Sequence, residues 1–218
     1  LAAEFVVMAI VLVLRPWGLL GRAPALQRGP GAAEPPLAAP SRGVLMALAA
    51  VACALIAVPL ATGGYALVLL TDILVFALFA VSLHFLLGPG GMLSFGHAAY
   101  FGLGAYGAGL LTLKAGAPMM LALFAAPLAA AGAALVFGWF CVRLQCVYLA
   151  MLTLALAQIV WSVVYQWDAF TGGSNGLIGI WPVAWLSART AYYYLTLAAS
   201  LAAIAFMWRM LFSPFGYA

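Results

Sequence analysis

Charged side chains are scarce in this chain: Asp, Glu, Lys and Arg make up 6% of its 218 residues, whereas hydrophobic residues make up 68%. A soluble domain carries roughly 25% charged residues, so this composition cannot cover a surface that faces water. The net charge of +4 comes from basic residues scattered along the chain, which form no patch that would bind nucleic acid. The composition therefore predicts an integral membrane protein, surrounded by lipid and without a nucleic-acid partner.

Titratable side chains are also few: there are four acids, two histidines and three cysteines. Enzymes that work near neutral pH need titratable groups positioned together, and no nucleophile and base are clustered here. His84 and His97 flank the helix-breaking residues 88–91, which argues against their ligating one haem from a single helix. Cys141 and Cys146 have no His or acid close in sequence to complete a metal site. With no P-loop either, the sequence predicts a chain that is not an enzyme and holds no cofactor or metal.

Long apolar runs make up most of the chain, and their length is that of membrane-spanning helices, about 20 residues. They are rich in Leu, Ala and Val without period-2 alternation, which favours helices over barrel strands. The sequence therefore predicts an all-α polytopic transmembrane bundle with about six full spans and a partial one at residues 1–14. The six spans are expected at 44–61, 66–87, 95–113, 118–141, 145–166 and 190–211.

Small residues recur at helix-packing spacing in two of these segments and would allow helix backbones to approach closely. The pattern predicts close packing between neighbouring helices, and the residues below are examples of it. They are Gly102, Ala105 and Gly109, and Ala129, Gly132 and Ala133.

Basic residues predict the orientation, because cytoplasmic loops of membrane proteins carry an excess of Lys and Arg. The Pro- and Gly-rich stretch 22–43 carries several arginines and is therefore expected to be a cytoplasmic linker. Alternating the spans from there places six of the eight basic residues inside, and puts Lys114 and the stretch 168–189 outside. The connection 88–94 comes out on the cytoplasmic side without any charge, so it is either a tight loop or a break that dips into the membrane.

The segment 88–97, Gly-Pro-Gly-Gly-Met-Leu-Ser-Phe-Gly-His, interrupts the apolar sequence with residues that cannot continue a helix. In lipid such a break is tolerated only where protein or a water-filled cavity surrounds it, because unpaired backbone groups find no water there. Ser94 is expected to cap the following helix, whose N-terminal amides would favour a carboxylate. The segment predicts a site or gate on a solute pathway; tight helix packing through the glycines is the alternative. The pathway candidates in it are Gly90, Gly91, Ser94, Gly96, His97 and Tyr100.

Asp72 is a further pathway candidate, because ionisable residues inside a membrane segment are usually paired or face a cavity. It lies in the segment 66–87, close to the expected external end. The alternative is an interfacial carboxylate that is bonded to the Thr71 hydroxyl or to water.

A second break spans residues 168–182, where glycines alternate with Ser, Thr and Asn on the expected external side. Trp167 and Trp181 flank it, as is typical of aromatic residues at a membrane interface. This loop would either dock an external partner or line the mouth of the pathway; a plain structured loop is the alternative. Its candidate residues are Thr171, Gly172, Gly173, Asn175 and Gly176.

Three motifs, in order, resemble the permeases of branched-chain amino acid ABC transporters, and in particular the second of the two membrane subunits in those systems. They are SLHFLLGPGGMLSFGHAAYFGLGAYGAGLL, VRLQCVYLAMLTLALAQIV and WDAFTGGSNGLIGI, within residues 65–217. The family pattern Gly-x-x-Ser-x-Gly-His-Ala-Ala-Phe-Phe-Gly matches from Gly91, with Tyr100 in place of the first Phe, and Thr-Gly-Gly-x-Asn-Gly-Leu matches residues 171–177. The resemblance implies an importer permease and marks the break at 88–97 as a family signature.

The first 21 residues resemble a different part of the same systems. The run LRPWGLLG at residues 14–21 is similar to the end of the last helix in the first membrane subunit. The chain thus looks like the middle of a fused double permease. Residues 1–21 would be the end of a preceding half, 22–43 the cytoplasmic linker, and 44–218 the amino-terminal part of a second permease domain, truncated at its carboxyl end. A fusion would hold the two halves at equal stoichiometry.

By this resemblance, the chain would be a multi-pass subunit that translocates branched-chain, hydrophobic amino acids across the inner (plasma) membrane. Its implied partners are cytoplasmic ATPase subunits that hydrolyse ATP on a separate chain, a periplasmic or extracellular solute-binding protein, and the second permease half. A permease for urea or short amides within the same family shares these motifs and stays open. A non-transporting membrane assembly subunit is the alternative from another class.

Overall fold

The structure, a computed structural model, describes residues 2–15, 41–141, 144, 146–183 and 186–213. These residues form eight α-helices and contain no strand, so the predicted all-α class is confirmed. The helices are α1 (Ala2–Leu14), α2 (Arg42–Ala61), α3 (Gly64–Leu87), α4 (His97–Leu113), α5 (Met119–Cys141), α6 (Cys146–Gln166), α7 (Asp168–Thr171) and α8 (Arg189–Leu211); a short 3₁₀ turn, Gly173–Asn175, follows α7.

The long helices agree closely with the predicted spans. All six predicted carboxyl ends coincide with the ends of α2 to α6 and α8, and the starts differ by at most two residues. Of the described helices, five are long and apolar enough to cross a membrane, namely α2, α3, α5, α6 and α8. α4 has 17 residues, which is the lower end of the range for a spanning helix. The chain is therefore a multi-pass membrane protein.

Most of the predicted linker 22–43 lies outside the described residues. The described part begins α2: the Oγ of Ser41 accepts a hydrogen bond of 3.4 Å from the Val44 amide, so Ser41 is the N-cap. Arg42 and Gly43, assigned to the linker from the sequence, are thus the first residues of α2. The division of the chain into a preceding half, a linker and a second permease domain stays a prediction.

The described residues divide into two compact units. The first contains α1, the end of α3 from residue 86, and α4 to α7 with the loop that continues to residue 183. The second contains α2, α3 as far as residue 85, and α8. Both predicted breaks lie in the first unit.

α6 is the buried centre of the first unit. Its N-terminal half carries side chains that are wholly enclosed, including Leu152 and Ala155, both 0% exposed. α1 packs on this half, where Leu12 joins Leu149 and Leu152 in an apolar cluster. In a membrane, close packing rather than removal from water holds helices together. The other helices of the unit therefore pack around this part of α6.

α4 and α5 pack against each other through small residues. A Cβ added to Gly104 would lie 3.6 Å from the Ala130 Cβ, and one added to Gly107 would lie 3.5 Å from the Ala129 Cβ. Of the small residues named from the sequence, Ala129 is therefore at this close approach, which α4 makes with Gly104 and Gly107. The predicted glycines whose added Cβ would meet no described atom within 4 Å are Gly102 and Gly132.

A proline inside α2 shapes the second unit. Pro59 has no N–H, so the carbonyl of Leu55, four residues earlier, loses its intrahelical partner. The Tyr193 hydroxyl of α8 replaces that partner by donating a hydrogen bond of 2.8 Å to the Leu55 oxygen, and Tyr193 is 0% exposed. The next residue, Tyr194, donates to the Ile56 oxygen at 3.0 Å from an exposed position. The two tyrosines thus join α8 to α2, and Tyr193 replaces the helix hydrogen bond that Pro59 cannot make.

Replacing Tyr193 by Phe should destabilise the protein, because the Leu55 carbonyl would lose its donor at a position covered by the buried Tyr193 ring. The expected loss is about 1–3 kcal/mol in the free energy of unfolding, measured as a lower thermal midpoint of protein purified in detergent. Tyr194→Phe is the matched control and should cost less, since residue 60 can still bond to the Ile56 carbonyl within the helix.

A double-mutant cycle makes the cause specific. In a Pro59→Ala background, the new amide at position 59 can bond to the Leu55 carbonyl, so Tyr193→Phe should then cost much less. An equal loss in both backgrounds would show that Tyr193 stabilises the protein by packing alone.

Candidate functional site

The predicted break starts with a turn at the end of α3 that is formed by backbone hydrogen bonds. The Gly91 amide donates to the Gly88 oxygen at 3.2 Å, and the Met92 amide donates back to the Leu86 oxygen at 3.1 Å. Gly91 has φ 58°, a left-handed conformation that favours glycine. A Cβ on Gly90 would lie 2.6 Å from the Leu86 oxygen. Both candidate glycines are therefore needed for the shape of this turn.

The other end of the break is fixed on α6. The Phe95 amide donates to the Thr153 Oγ1 at 3.1 Å, and that hydroxyl donates to the Ala150 oxygen at 2.9 Å. Gly96 lies against the same turn of α6, because a Cβ there would lie 2.5 Å from the Thr153 carbonyl oxygen. The Thr153 side chain is buried. Its hydroxyl therefore gives a partner to an amide that the break leaves outside any helix.

α4 begins directly after Gly96, so the predicted cap at Ser94 is wrong. Gly96 occupies the N-cap position and has no side chain that could accept an amide. Ser94 is buried, with 7% of its surface exposed, two residues ahead of the cap. The helix starts late because the chain must first pass Thr153, where Phe95 and Gly96 make their contacts.

The remaining candidates of the break lie on the first turn of α4. His97 is the first helical residue and is half-buried. The Tyr100 ring packs against Phe137 of α5, with 5.9 Å between the ring centroids and an interplanar angle of 50°. The break candidates therefore occupy the stretch between α3 and α4 and the first turn of α4, and of its residues Ser94 and Gly96 are buried.

Asp72 belongs to the second unit and is exposed on α3. The Thr71 hydroxyl donates to the Leu67 oxygen at 2.8 Å. Its proton is thus already used, and the alternative in which Thr71 donates to Asp72 is wrong. The place of Asp72 on the pathway stays a prediction.

The Thr171 hydroxyl closes the external loop. It donates to the Val164 oxygen at 2.6 Å and to the Trp167 oxygen at 2.8 Å, and it accepts a hydrogen bond from the Gly173 amide at 3.4 Å. The Val164 carbonyl belongs to the last turn of α6, where carbonyls lack amides ahead of them. The Trp167 carbonyl, directly after α6, also accepts from the Thr171 amide at 2.9 Å. Thr171 is 4% exposed, so water cannot take its place. We conclude that this candidate holds the loop in shape.

Glycines make the same loop possible. Gly172, Gly173 and Gly176 have φ values of 78°, 54° and 68°, all left-handed. A Cβ on Gly172 would collide with the Gly176 oxygen, and one on Gly173 would collide with the Asp168 carboxylate. Gly176 follows Asn175, and an Asn-Gly pair favours such a positive φ.

α4 is held to this loop at its carboxyl end. Lys114 Nζ donates to the Ala169 oxygen at 2.8 Å and lies 4.4 Å from the centre of the Phe170 ring. One turn earlier Gly109 faces the loop, since a Cβ there would lie 2.7 Å from Leu177 Cδ1. α4 therefore starts at the first half of α6 and ends beside the residues that follow α6. The two helices run in the same direction, with one break at each end.

Sequence reasoning missed two residues that hold these breaks. The only signal for Thr153 is a hydroxyl inside the apolar run LAMLTLALAQ. From the sequence, Lys114 indicated only the orientation of the spans in the membrane. A lysine directly after a span can also bond to a neighbouring loop. Neither partner is near in sequence, so the pairing could not be predicted.

The chemistry that the two breaks offer is hydrogen bonding. No group of three or more His, Cys, Asp or Glu side chains that could hold a metal ion occurs within the described ranges. The first break offers backbone amides with Ser94 and His97, and the external loop offers the amide side chain of Asn175 and the Ser174 hydroxyl. Such groups suit reversible contact with a polar solute.

Helix breaks within the apolar sequence of a multi-pass protein are typical of the transporter class. More particularly, residues 65–218 match the family described as branched-chain amino acid transport system / permease component. The match covers well over half of the chain, so the chain belongs to this family. Both breaks lie inside the matched region.

Two curated relatives are similar to about half of the chain. The high-affinity branched-chain amino acid transport system permease protein LivM of Escherichia coli is 31% identical over 104 residues, which are 48% of this chain and 24% of the relative. The protein of the same name from Salmonella typhimurium is 30% identical over 107 residues, which are 49% of this chain and 25% of the relative. The aligned segment thus spans about a quarter of each relative. No solved structure matches the chain significantly.

Gly96→Ala should destabilise the first unit, because its Cβ would meet backbone of α6 that cannot move aside. The expected loss is about 1–3 kcal/mol, the range for overpacking, read as a lower thermal midpoint. Gly102→Ala, in open space on the same helix, is the control and should be neutral or stabilising by up to about 1 kcal/mol. Equal effects of the two changes would contradict the contact between Gly96 and α6.

Thr171→Val should loosen the external loop, because the Val164 carbonyl at the end of α6 and the Gly173 amide lose their hydroxyl partner. We expect hydrogen exchange of the amides at 168–176 to become roughly tenfold faster. Thr171→Ser keeps the hydroxyl and should exchange like the unchanged protein. Faster exchange in the serine variant as well would assign the effect to the lost methyl group.

Proposed function

We propose that this chain is the membrane permease subunit of an ATP-driven importer that moves branched-chain, hydrophobic amino acids across the inner membrane. Membership of the permease family is one support. The observation that carries the proposal is the fixing of the break on α6 through Phe95 and Thr153. A break whose backbone is paired within protein can line a pathway at membrane depth, whereas an anchor or assembly subunit has no need of one.

The energy source would lie on partner chains. Cytoplasmic ATPase subunits would hydrolyse ATP, and a periplasmic or extracellular binding protein would deliver the solute. Since α4 and α6 have one break at each end, solute would enter beside the loop after α6 and leave beside the break before α4. Hydrolysis drives import only if the solute interacts differently with the outward-open and inward-open states.

The roles of the pathway residues divide by what each one contacts. Gly90, Gly91 and Gly96 shape the break, so contact with solute would fall to the side chains beside them, Ser94 and His97. Thr153 is a positioning residue that acts through the Phe95 amide.

The second permease half would be the partner that completes the pathway. In this scheme residues 1–21 end that preceding half and 22–43 link it to the domain that starts at 44. The packing of Leu12 from α1 into the apolar cluster of α6 supports the scheme, because it gives the end of one half a place against the other.

Uptake by the intact transporter tests the proposal. Membrane vesicles that carry the whole polypeptide with its ATPases and binding protein should accumulate labelled leucine when ATP is supplied on the cytoplasmic side, and not without it. Labelled urea is the second arm. ATP-dependent uptake of urea in place of leucine would assign the alternative solute class, and no ATP-dependent uptake of either would favour a non-transporting assembly subunit.

Thr153→Val should slow leucine uptake by roughly two- to tenfold, the equivalent of one hydrogen bond of about 0.5–1.5 kcal/mol. Valine keeps the shape of threonine but cannot accept the Phe95 amide. Thr153→Ser retains the hydroxyl and should transport normally, with both variants present in the membrane at equal amounts by immunoblot. A valine variant that transports at the full rate would show that the hydrogen bond does not hold the break during transport.

A further inference from the structure

A cavity of about 330 Å³ opens beside the carboxyl end of α6 in the first unit. This volume is at the small end of the range for small-molecule sites, about 300–1,000 Å³. We call it the loop cavity, because the external loop forms part of its wall. Its walls include Tyr106 of α4, Trp161, Val164 and Tyr165 of α6, and Ser174 and Asn175 of the loop.

One wall of the loop cavity is aromatic and apolar. Trp161 and Tyr165, one helical turn apart, are stacked with 5.0 Å between their centroids and an interplanar angle of 16°. Val164 and Tyr106 extend the apolar surface. Large aromatic side chains offer much contact area and lose little freedom when a ligand packs on them. This wall suits a compact aliphatic side chain.

The cavity wall offers contacts for both charged ends of a zwitterion. The Asn175 amide and the Ser174 hydroxyl of the loop can donate hydrogen bonds to a carboxylate. The ring faces of the aromatic wall favour an ammonium group.

The polar wall is held in place before any ligand arrives. The Thr171 hydroxyl contacts two carbonyls at the end of α6 and the Gly173 amide. Lys114 ties the same loop to α4 through the Ala169 oxygen. A site that is formed in advance loses little free energy to ordering when it binds.

From this combination we infer that the loop cavity is an external receiving site for amino acids with a branched aliphatic side chain. The inference rests on the proposed function and names a place on the solute's route: the site would hold the amino acid after it leaves the binding protein. Urea has neither an aliphatic group nor a charge, so it would bind there weakly.

Labelling of a cysteine in the cavity tests the inference in the intact transporter, without binding protein and without ATP. Asn175→Cys, in a background with Ala at Cys53, Cys141 and Cys146, is treated with a membrane-impermeant maleimide. Leucine should slow its labelling, and urea should not. Ile178→Cys is the matched control, because Ile178 lies in the same loop, is 77% exposed and is not part of the cavity wall. Ser174→Cys provides a second reporter in case the change at Asn175 itself weakens binding.

Removing an aromatic side chain tests whether the protection by leucine depends on the aromatic wall of the cavity. Trp161→Ala should raise the leucine concentration that gives half protection by about tenfold. Trp181→Ala, at a loop tryptophan that is 82% exposed and outside the cavity wall, should leave it unchanged.

The outcomes separate the receiving site from the proposed function. Protection by leucine at 175 or 174 but not at 178, weakened by Trp161→Ala alone, supports the site. Intact leucine uptake with no protection, or with equal protection at 178, overturns the receiving site and leaves the importer in place. Absence of ATP-dependent leucine uptake by the unmodified transporter would overturn the proposed function itself.

Discussion

Backbone groups that leave a helix inside apolar sequence need a partner within the protein, because lipid offers none. This chain supplies that partner with a side-chain hydroxyl at three irregular places. Thr153 pairs with an amide of the first break, Thr171 with carbonyls at the end of α6, and Tyr193 with the carbonyl that the proline of α2 leaves free. The three residues are 5%, 4% and 0% exposed, so water cannot replace them. Each irregular segment is thus stabilised by a hydroxyl that bonds to a backbone group at the place where the helix is interrupted.

Two of the three hydroxyls lie on or directly after α6, and this makes α6 the organising helix of the first unit. The chain entering α4 is bonded to α6 through the Phe95 amide, and at the end of α4 Lys114 bonds to Ala169 of α7, which directly follows α6. A displacement of α6 would therefore act on both breaks together. That arrangement offers a physical route between the two ends of the proposed pathway, provided that α6 has two discrete positions.

The sequence predicted the helices well because their ends carry strong local signals. Glycine and proline stop α3, and the apolar runs end abruptly elsewhere, so all six carboxyl ends were correct. The errors concern contacts between distant residues. Ser94 has the right chemistry for a cap, but the contact of Gly96 with α6 delays the helix. The partners of Thr153 and Tyr193 lie 58 and 138 residues away, where periodicity carries no information. The positions of the two helix breaks in the chain were predictable, and the hydrogen bonds that hold them were not.

The glycines of the two motifs are needed for the backbone shape of the break and of the loop. Gly91 requires its left-handed backbone, Gly96 requires space against α6, and Gly172 and Gly173 require both. These residues specify the shape of the break and of the loop, and they do so whatever solute passes. The aromatic wall formed by Trp161 and Tyr165 of α6 lies outside both motifs. In the receiving site inferred above, solute preference would therefore depend on side chains that the motifs do not specify. Members of the family with the same glycines could then carry different small solutes on the same scaffold.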